Sequence, residues 1–427
     1  MTLDRRRFLS LSGVAAASVL AGCGFVPREP DPDALTFTTW GTDAELAGFR
    51  SAIAGFEKAR PGTRVALNAV PYDQMFSNLD AQFQAGNAPD VFRVPYYTLG
   101  SYAGRGQLLD IGGRVPAGFA DRFTPTAWAA VQSAGRTVGV PHHTDTSVIL
   151  YNRKLLRDAG ITSVPTRLVD AWTWDEFGRV ARQLRDSLPD SQYPFVNNWQ
   201  GNGVTRWLSW LFQADGRLLT ERLDKPAVDS SAGRAALSYT KSFFTSRFVP
   251  PNSSVKSTAL AADTWFSQTA AMTWAGAFLL PDATSTATFD WGATFAPRDV
   301  RAASDFGGNA VVVTSQTGKA DTAVAFLDHL TTAATMRDFC TRASLLPTRR
   351  DLVAEGVRFA DRPELSPVFA GQASTVRPAD ARQVASPSML KIITVLQDQL
   401  EQAFAGGQGV GETLSGLASG IETALTR

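Results

Sequence analysis

Ten tryptophans and seven tyrosines are the side chains of this sequence best suited to meet another molecule, and some stand where a loop should begin. Trp40 precedes Gly41, Trp199 lies within Asn197-Asn198-Trp199-Gln200-Gly201, and Trp274 stands two residues before Gly276. A flat ring in such a place serves equally as a face for a ligand or as a core side chain. Trp128, Trp172, Trp207, Trp210 and Trp265 sit in helical or motif contexts that favour packing. Bond-making chemistry is harder to find. The chain has no Gly-x-Ser-x-Gly elbow, no phosphate loop and no Cys-His pair with an orienting partner. His142 and His143 are adjacent, but no second Cys/His pair or His-Glu-x-x-His spacing accompanies them, so no metal and no cofactor is expected. A glycan hydrolase would need an acid with a raised pKa beside a second carboxylate, and spacing alone leaves that open.

The first 23 residues read as an export address that ends in an attachment point. Arg5, Arg6 and Arg7 form a charged head, and residues 9–20 an apolar core too short to span a bilayer. Arg5-Arg6-Arg7-Phe8-Leu9 resembles the twin-arginine export motif, with Asp4 and Ser10 departing from its preferred flanks; Leu20-Ala21-Gly22-Cys23 resembles a bacterial lipobox. That resemblance implies that Cys23 becomes the mature N-terminus and carries a lipid, which anchors the protein to the outer face of the cell membrane. Residues 24–34, with Pro27, Pro30 and Pro32 and no apolar periodicity, suit a stiff tether. Cys340 is the other cysteine and reads as a small core residue, which leaves no internal disulfide.

The elements that must hold any site follow from composition and periodicity. A length of 427 residues with 44% hydrophobic and 19% charged content suits two domains. The formal charge of +1 falls to about −1 without the leader's arginines and Asp4, which is no balance for nucleic acid. Strands are expected at 35–40, 65–70 and 90–94, alternating with helices at 44–60 and 72–85, which predicts an α/β domain with a largely parallel sheet. From Gly135 the chain changes character and a second lobe begins, with short strands at 137–141 and 148–151 and helices at 154–159, 175–188, 207–212 and 231–244. Strands at 291–295 and 310–313 and helices at 322–330 and 389–404 complete the reading.

Several stretches, in this order, resemble the maltose-binding-protein-like family of extracellular solute-binding proteins that serve ABC importers. They are Phe56-Glu57-Lys58-Ala59-Arg60-Pro61-Gly62, Ala88-Pro89-Asp90-Val91-Phe92, and Gly135-Arg136-Thr137-Val138-Gly139-Val140-Pro141 leading to Val148-Ile149-Leu150-Tyr151-Asn152. Trp172-Thr173-Trp174-Asp175-Glu176-Phe177, Phe266-Ser267-Gln268-Thr269-Ala270-Ala271-Met272 with Gly276, and Gly307-Gly308-Asn309-Ala310-Val311-Val312-Val313 follow. The resemblance implies a two-lobed periplasmic-binding-protein-like α/β fold with a hinge and an inter-lobe ligand cleft. The first lobe is expected to comprise 35–142 and 292–332, the second 143–291 and 333–427. It also implies a carbohydrate ligand, permease transmembrane subunits as partners, a monomer, and capture without catalysis.

Loops at the carboxyl ends of parallel strands form the crevice of such sheets, which nominates Trp40, Asp43, Tyr96, Tyr97, His142 and Asp145. Sugar binding needs ring faces for stacking and planar polar groups for hydroxyls. Asn198, Trp199, Trp274, Gly276, Phe278, Gly308, Asn309 and Arg377 complete the candidate set. Asp145 matches by position an acid that the family uses on sugar hydroxyls, and Phe278 an aromatic that stacks on sugar. Each has a plainer alternative: Asp43 as a helix N-cap, Gly307 to Asn309 as a turn, Arg377 as an exposed charge. Asp90 is expected to satisfy loop amides rather than a ligand. Trp199→Ala and Asp145→Ala are expected to weaken binding with the fold intact. The alternatives to sugar are a glycerophosphodiester, peptide, polyamine or metal chelate in the same fold, or a lipid-anchored glycan hydrolase.

Overall fold

The computed structural model describes residues 33–426. Cys23, its leader and the tether to residue 32 lie outside the described residues. The strands are β1 Leu35–Thr39, β2 Val65–Ala69, β3 Val91–Pro95, the two-residue pair β4 Gln132–Ser133 and β5 Arg136–Thr137, and β6 Val140–Asp145. Then come β7 Ser147–Asn152, β8 Tyr193–Asn197, β9 Ala270–Gly276, β10 Trp291–Thr294 and β11 Gly307–Val313. They form two main sheets, ordered β2-β1-β3-β11-β6 and β10-β7-β9-β8.

Local chemistry sets the element ends. The helix Asp43–Ala59 opens with a capping box: Thr42 Oγ1 accepts from the Glu45 amide at 3.3 Å, and the Glu45 carboxylate accepts from the Thr42 amide at 2.8 Å. The N-cap is therefore Thr42, and Asp43 is an exposed acid in the first turn, favoured there by the helix dipole. Phe49, Ala52, Ile53 and Phe56 form its buried stripe, and Pro61 with Gly62 at φ 90° ends it. Trp174–Ser187 starts with the same device, Thr173 with Glu176.

The first sheet is parallel only through β2, β1 and β3. β11 runs antiparallel to both β3 and β6, because it returns directly from the second lobe with no helical crossover. Asp90 sits at the head of β3, and its Oδ2 accepts from the amide and hydroxyl of Thr36, both at 2.9 Å.

The chain passes between the sheets three times. Thr146 joins β6 to β7, residues 295–306 join β10 to β11, and residues 356–365 lead from Arg350–Glu355 to the helix Ser366–Ala373 packed on β7. The expected boundary at 292 is thus too early, since β10 belongs to the second sheet. The boundary at 333 is also too early, because the helix Ala333–Ala343 packs on Asp43–Ala59 of the first lobe.

Each sheet is covered on both faces. Phe37, Phe49, Phe326 and Phe339 belong to the core on one face of the first sheet, and Trp265, Trp291 and Phe369 to that on one face of the second. A third core runs continuously through both lobes, from Phe92 and Tyr102 to Trp210 and Phe243. The lobes meet where the helix Met389–Phe404 lies against Tyr96–Gly104. Gly100 makes that approach possible: a Cβ there would stand 2.4 Å from the Ala385 carbonyl oxygen.

Candidate functional site

The carboxyl ends of β1, β2 and β3 bring Trp40, Tyr72 and Tyr97 together on the first lobe. Trp40 packs on Tyr72 at 5.2 Å and on Phe76 at 5.8 Å between ring centroids. The Tyr72 hydroxyl meets that of Tyr97. Tyr72 is 41% exposed, while Trp40 and Tyr97 are half-buried, so this shelf keeps surface for another molecule. Tyr97 faces Asn202 and Arg206 of the second lobe. Burial first, then the Tyr72 hydroxyl, holds its phenol well above the ordinary range.

On the opposite wall Phe278 follows β9 and is 36% exposed, with the Arg206 guanidinium 5.7 Å from its ring centroid. Asp145 ends β6 between the walls. Its Oδ1 accepts from the Ala277 amide at 2.8 Å, and its Oδ2 comes so close to Gly276 that a Cβ there would stand 2.2 Å away. Only glycine fits beside that carboxylate.

Asp145 and Asp305 are each 6% exposed. Asp305 Oδ1 accepts from the Ser147 amide at 3.2 Å, Ser304 Oγ at 3.1 Å and Ser209 Oγ at 3.4 Å, while Oδ2 lies 3.9 Å from Arg206 Nε. Asp305 therefore ties the first two crossings to the second lobe. Burial first, and Asp305 second, push the Asp145 carboxyl up to about 7, against the pull of Arg206 and of the Ala277 and Thr146 amides. Near neutrality Asp145 therefore populates both forms, able to donate to a hydroxyl when protonated and to accept from one when ionised.

The other nominated residues divide by burial. Trp199 is 1% exposed, stacked on Phe404 at 5.0 Å and Phe244 at 6.1 Å, with Nε1 donating to the Ser253 carbonyl at 2.8 Å. It is a core residue, so the ligand role expected for it does not hold. Trp274 is buried on Trp210, and Tyr96 is buried against Phe306 with its hydroxyl donating to the His143 carbonyl, so neither offers a face. His142 stacks on Phe49, and desolvation followed by Arg93 pushes it down to about 3. Gly308, at φ 98°, lies where a Cβ would stand 2.5 Å from the His143 carbonyl oxygen; Asn309 Nδ2 lies 2.9 Å from His143 Nε2. Both are half-buried on β11 and are engaged with β6 through His143 and Thr144. Asn198 is half-buried after β8; Arg377 is on the surface, paired with Asp215 at 3.0 Å. Asp43 makes no side-chain bond into the cleft.

Tyr72, Asn202, Arg206 and Asp305 join the site without having been nominated. The strand-end argument applies to Tyr72, three residues past β2, but Arg206 and Asp305 carry no local signal. A cavity of about 210 Å³ beside the crossings shares Asp145 and Thr144, with Thr124, Thr126 and Ser374 among an otherwise largely apolar lining that includes Leu346, Leu352, Val357 and Val376. Among the described residues no group of three His, Cys, Asp or Glu could hold a metal ion, and no helix is long and apolar enough to cross a membrane.

Residues 40–337 match the bacterial extracellular solute-binding protein family, over more than half the chain. The chain belongs to that family. Membership makes this solute-binding protein extracytoplasmic. It is 26% identical over 140 residues to the arabinooligosaccharide-binding protein of Halalkalibacterium halodurans, covering 32% of this chain and 30% of that one. It is 28% identical over 163 residues to a maltodextrin-binding protein of Bacillus subtilis, covering 37% of each. The chain thus spans well under half the length of these curated relatives.

Solved structures share the fold over far more of the chain. The GacH receptor of Streptomyces glaucescens, whose structure was solved unliganded and with acarbose, superposes with a TM-score of 0.74 at 22% identity, covering 92% of this chain and 99% of that one. An ABC transporter solute-binding protein of Thermotoga lettingae bound to α-D-tagatose gives 0.75 at 22% identity, covering 92% and 100%. The two-lobed α/β architecture is therefore that of sugar-binding proteins of known structure.

Proposed function

We propose that this solute-binding protein captures an oligosaccharide between its lobes and delivers it unchanged to the transmembrane subunits of an ABC importer, as a monomer held to the membrane by a lipid on Cys23. The observation that carries this reading is the pairing of an aromatic shelf, Trp40, Tyr72 and Tyr97, with Phe278, Arg206 and Asn202 opposite and Asp145 at the crossing. Ring faces stack on the C–H side of pyranoses, while Asp145, Arg206 and Asn202 supply directional bonds to hydroxyls. The oligosaccharide-binding relatives favour that class of cargo. Closure by hinge bending at the three crossings would shift a two-state population toward the form a permease recognises.

Thermal-shift screening tests the cargo, with arabino-, malto- and galactooligosaccharides against glycerophosphodiesters and peptides. A sugar at about a hundred times its Kd should stabilise the fold by about 2.7 kcal/mol. A shift from a phosphodiester or peptide alone would replace sugar as the cargo. One observation favours the hydrolase reading, namely the raised Asp145 beside a second carboxylate. Against it, Asp305 is 6% exposed and its Oδ1 accepts from three donors, which casts it as a structural carboxylate tying the crossings together. Release of reducing ends from any panel glycan would reverse that judgement.

A further inference from the structure

Arg93 is the most deeply buried cation of the first lobe, 2% exposed on the central strand β3. Taking a guanidinium out of water is costly unless its donors are satisfied. Among the described residues its Nε meets no acceptor, and its other donors are satisfied. Its other contacts converge on one place. Nη1 donates to the Trp40 carbonyl at 2.8 Å, while the guanidinium carbon stands 4.6 Å from the centroid of the Trp40 ring. One planar group thus grips both the backbone and the side chain of the same tryptophan.

The guanidinium is itself held from two elements, one of them braced by a third. Nη2 pairs with Glu45, whose other oxygen accepts from the Thr42 amide and so fastens the loop that follows Trp40. Nη2 also lies 3.2 Å from His143 Nε2, which Asn309 Nδ2 approaches from β11 at 2.9 Å. Two donors on Nε2 make it the acceptor, which places the His143 proton on Nδ1, directed at His142 Nδ1 3.1 Å away. Both imidazoles are then neutral, in keeping with their lowered pKa values, caused by desolvation and then Arg93.

We infer that Arg93 is a positioning residue of the cleft, fixing Trp40 as the base of the aromatic shelf while Glu45, His143 and Asn309 fix Arg93. The inference rests on the reading of this shelf as a solute-binding wall. A lysine would keep the charge but not the plane, and its single ammonium cannot hold a carbonyl and cover a ring together.

The test uses the full chain labelled with fluorotryptophan, with Trp40→Phe assigning the Trp40 resonance. Arg93→Lys should shift or broaden that resonance and leave the other nine tryptophans in place. An unmoved Trp40 signal in folded Arg93→Lys, or a common shift of all ten, would overturn the inference. Where Arg93→Lys fails to fold, Glu45→Gln, which loosens the clamp and keeps the guanidinium, decides by the same criterion. Maltotetraose supplies a second arm: Arg93→Lys should weaken its binding about tenfold in the wild-type background and by less than about twofold beside Trp40→Leu. Equal losses in both backgrounds would mean that Arg93 does not act through Trp40. If Trp40→Leu leaves the affinity unchanged while the resonance responds to Arg93→Lys, the solute-wall reading fails and the clamp stands.

Discussion

Asp145→Asn removes an ionisation that the fold resists, and its consequence for stability can be worked through. The carboxyl is raised from 3.8 in the unfolded chain to about 7 in the fold. About three pKa units at about 1.4 kcal/mol each amount to about 4 kcal/mol. The raised pKa means that the folded chain keeps this proton after the unfolded chain has lost it. The group's contribution to stability is therefore fully present below 3.8, declines as pH rises, and is gone above about 7. Asn cannot ionise, and its Oδ1 still accepts from the Ala277 amide. Urea unfolding across this range should find the variant close to wild type at about pH 4 and more stable by about 4 kcal/mol at about pH 8. An equal pH slope in both proteins would refute the assignment of the proton to Asp145.

Other expectations follow from single contacts. Gly276→Ala drives a methyl into Asp145 Oδ2 and the Phe278 ring, with contacts of 2.2 and 2.8 Å, and should cost at least about tenfold in solute affinity by calorimetry. Gly100→Ala drives a methyl into the Ala385–Ser386 backbone that leads into the helix Met389–Phe404 and should displace it from the first lobe, so small-angle scattering should report a larger radius of gyration; an unchanged radius would mean that the lobes do not close through this contact. Trp199→Ala, now a core truncation, should lower stability by about 3–5 kcal/mol in denaturant unfolding. Phe278→Ala should weaken solute binding about tenfold while unfolding stays within about 0.5 kcal/mol of wild type.

The helices were legible because their signals are local. Tyr72–Ala85 and Met389–Phe404 fall where the apolar spacing puts them, and the Thr173-Glu176 box announces its helix. Sheet direction was less so: β11 has the apolar run of a buried strand whether it runs parallel or antiparallel, and only its return from the other lobe decides. The candidate site was legible to the level of strand ends, where Trp40, Tyr97 and Asp145 lie. Which ring faces outward was not. Trp199 stands in a loop-like stretch yet is enclosed by Phe244 and by Phe404, far along the chain, whereas Phe278 stays 36% exposed beside Arg206. Arg93 reads as an interior strand residue until Glu45 and Trp40 are seen beside it.

A hydroxyl-rich solute held between the shelf and Phe278 should slow amide hydrogen exchange on both sides of it. Exchange measured with and without the oligosaccharide that gives the largest thermal shift should show protection concentrated at residues 40–43, 96–97, 202–206 and 276–278, on both walls at once. Protection confined to one lobe, or to the cavity around Leu346 and Val376, would contradict it.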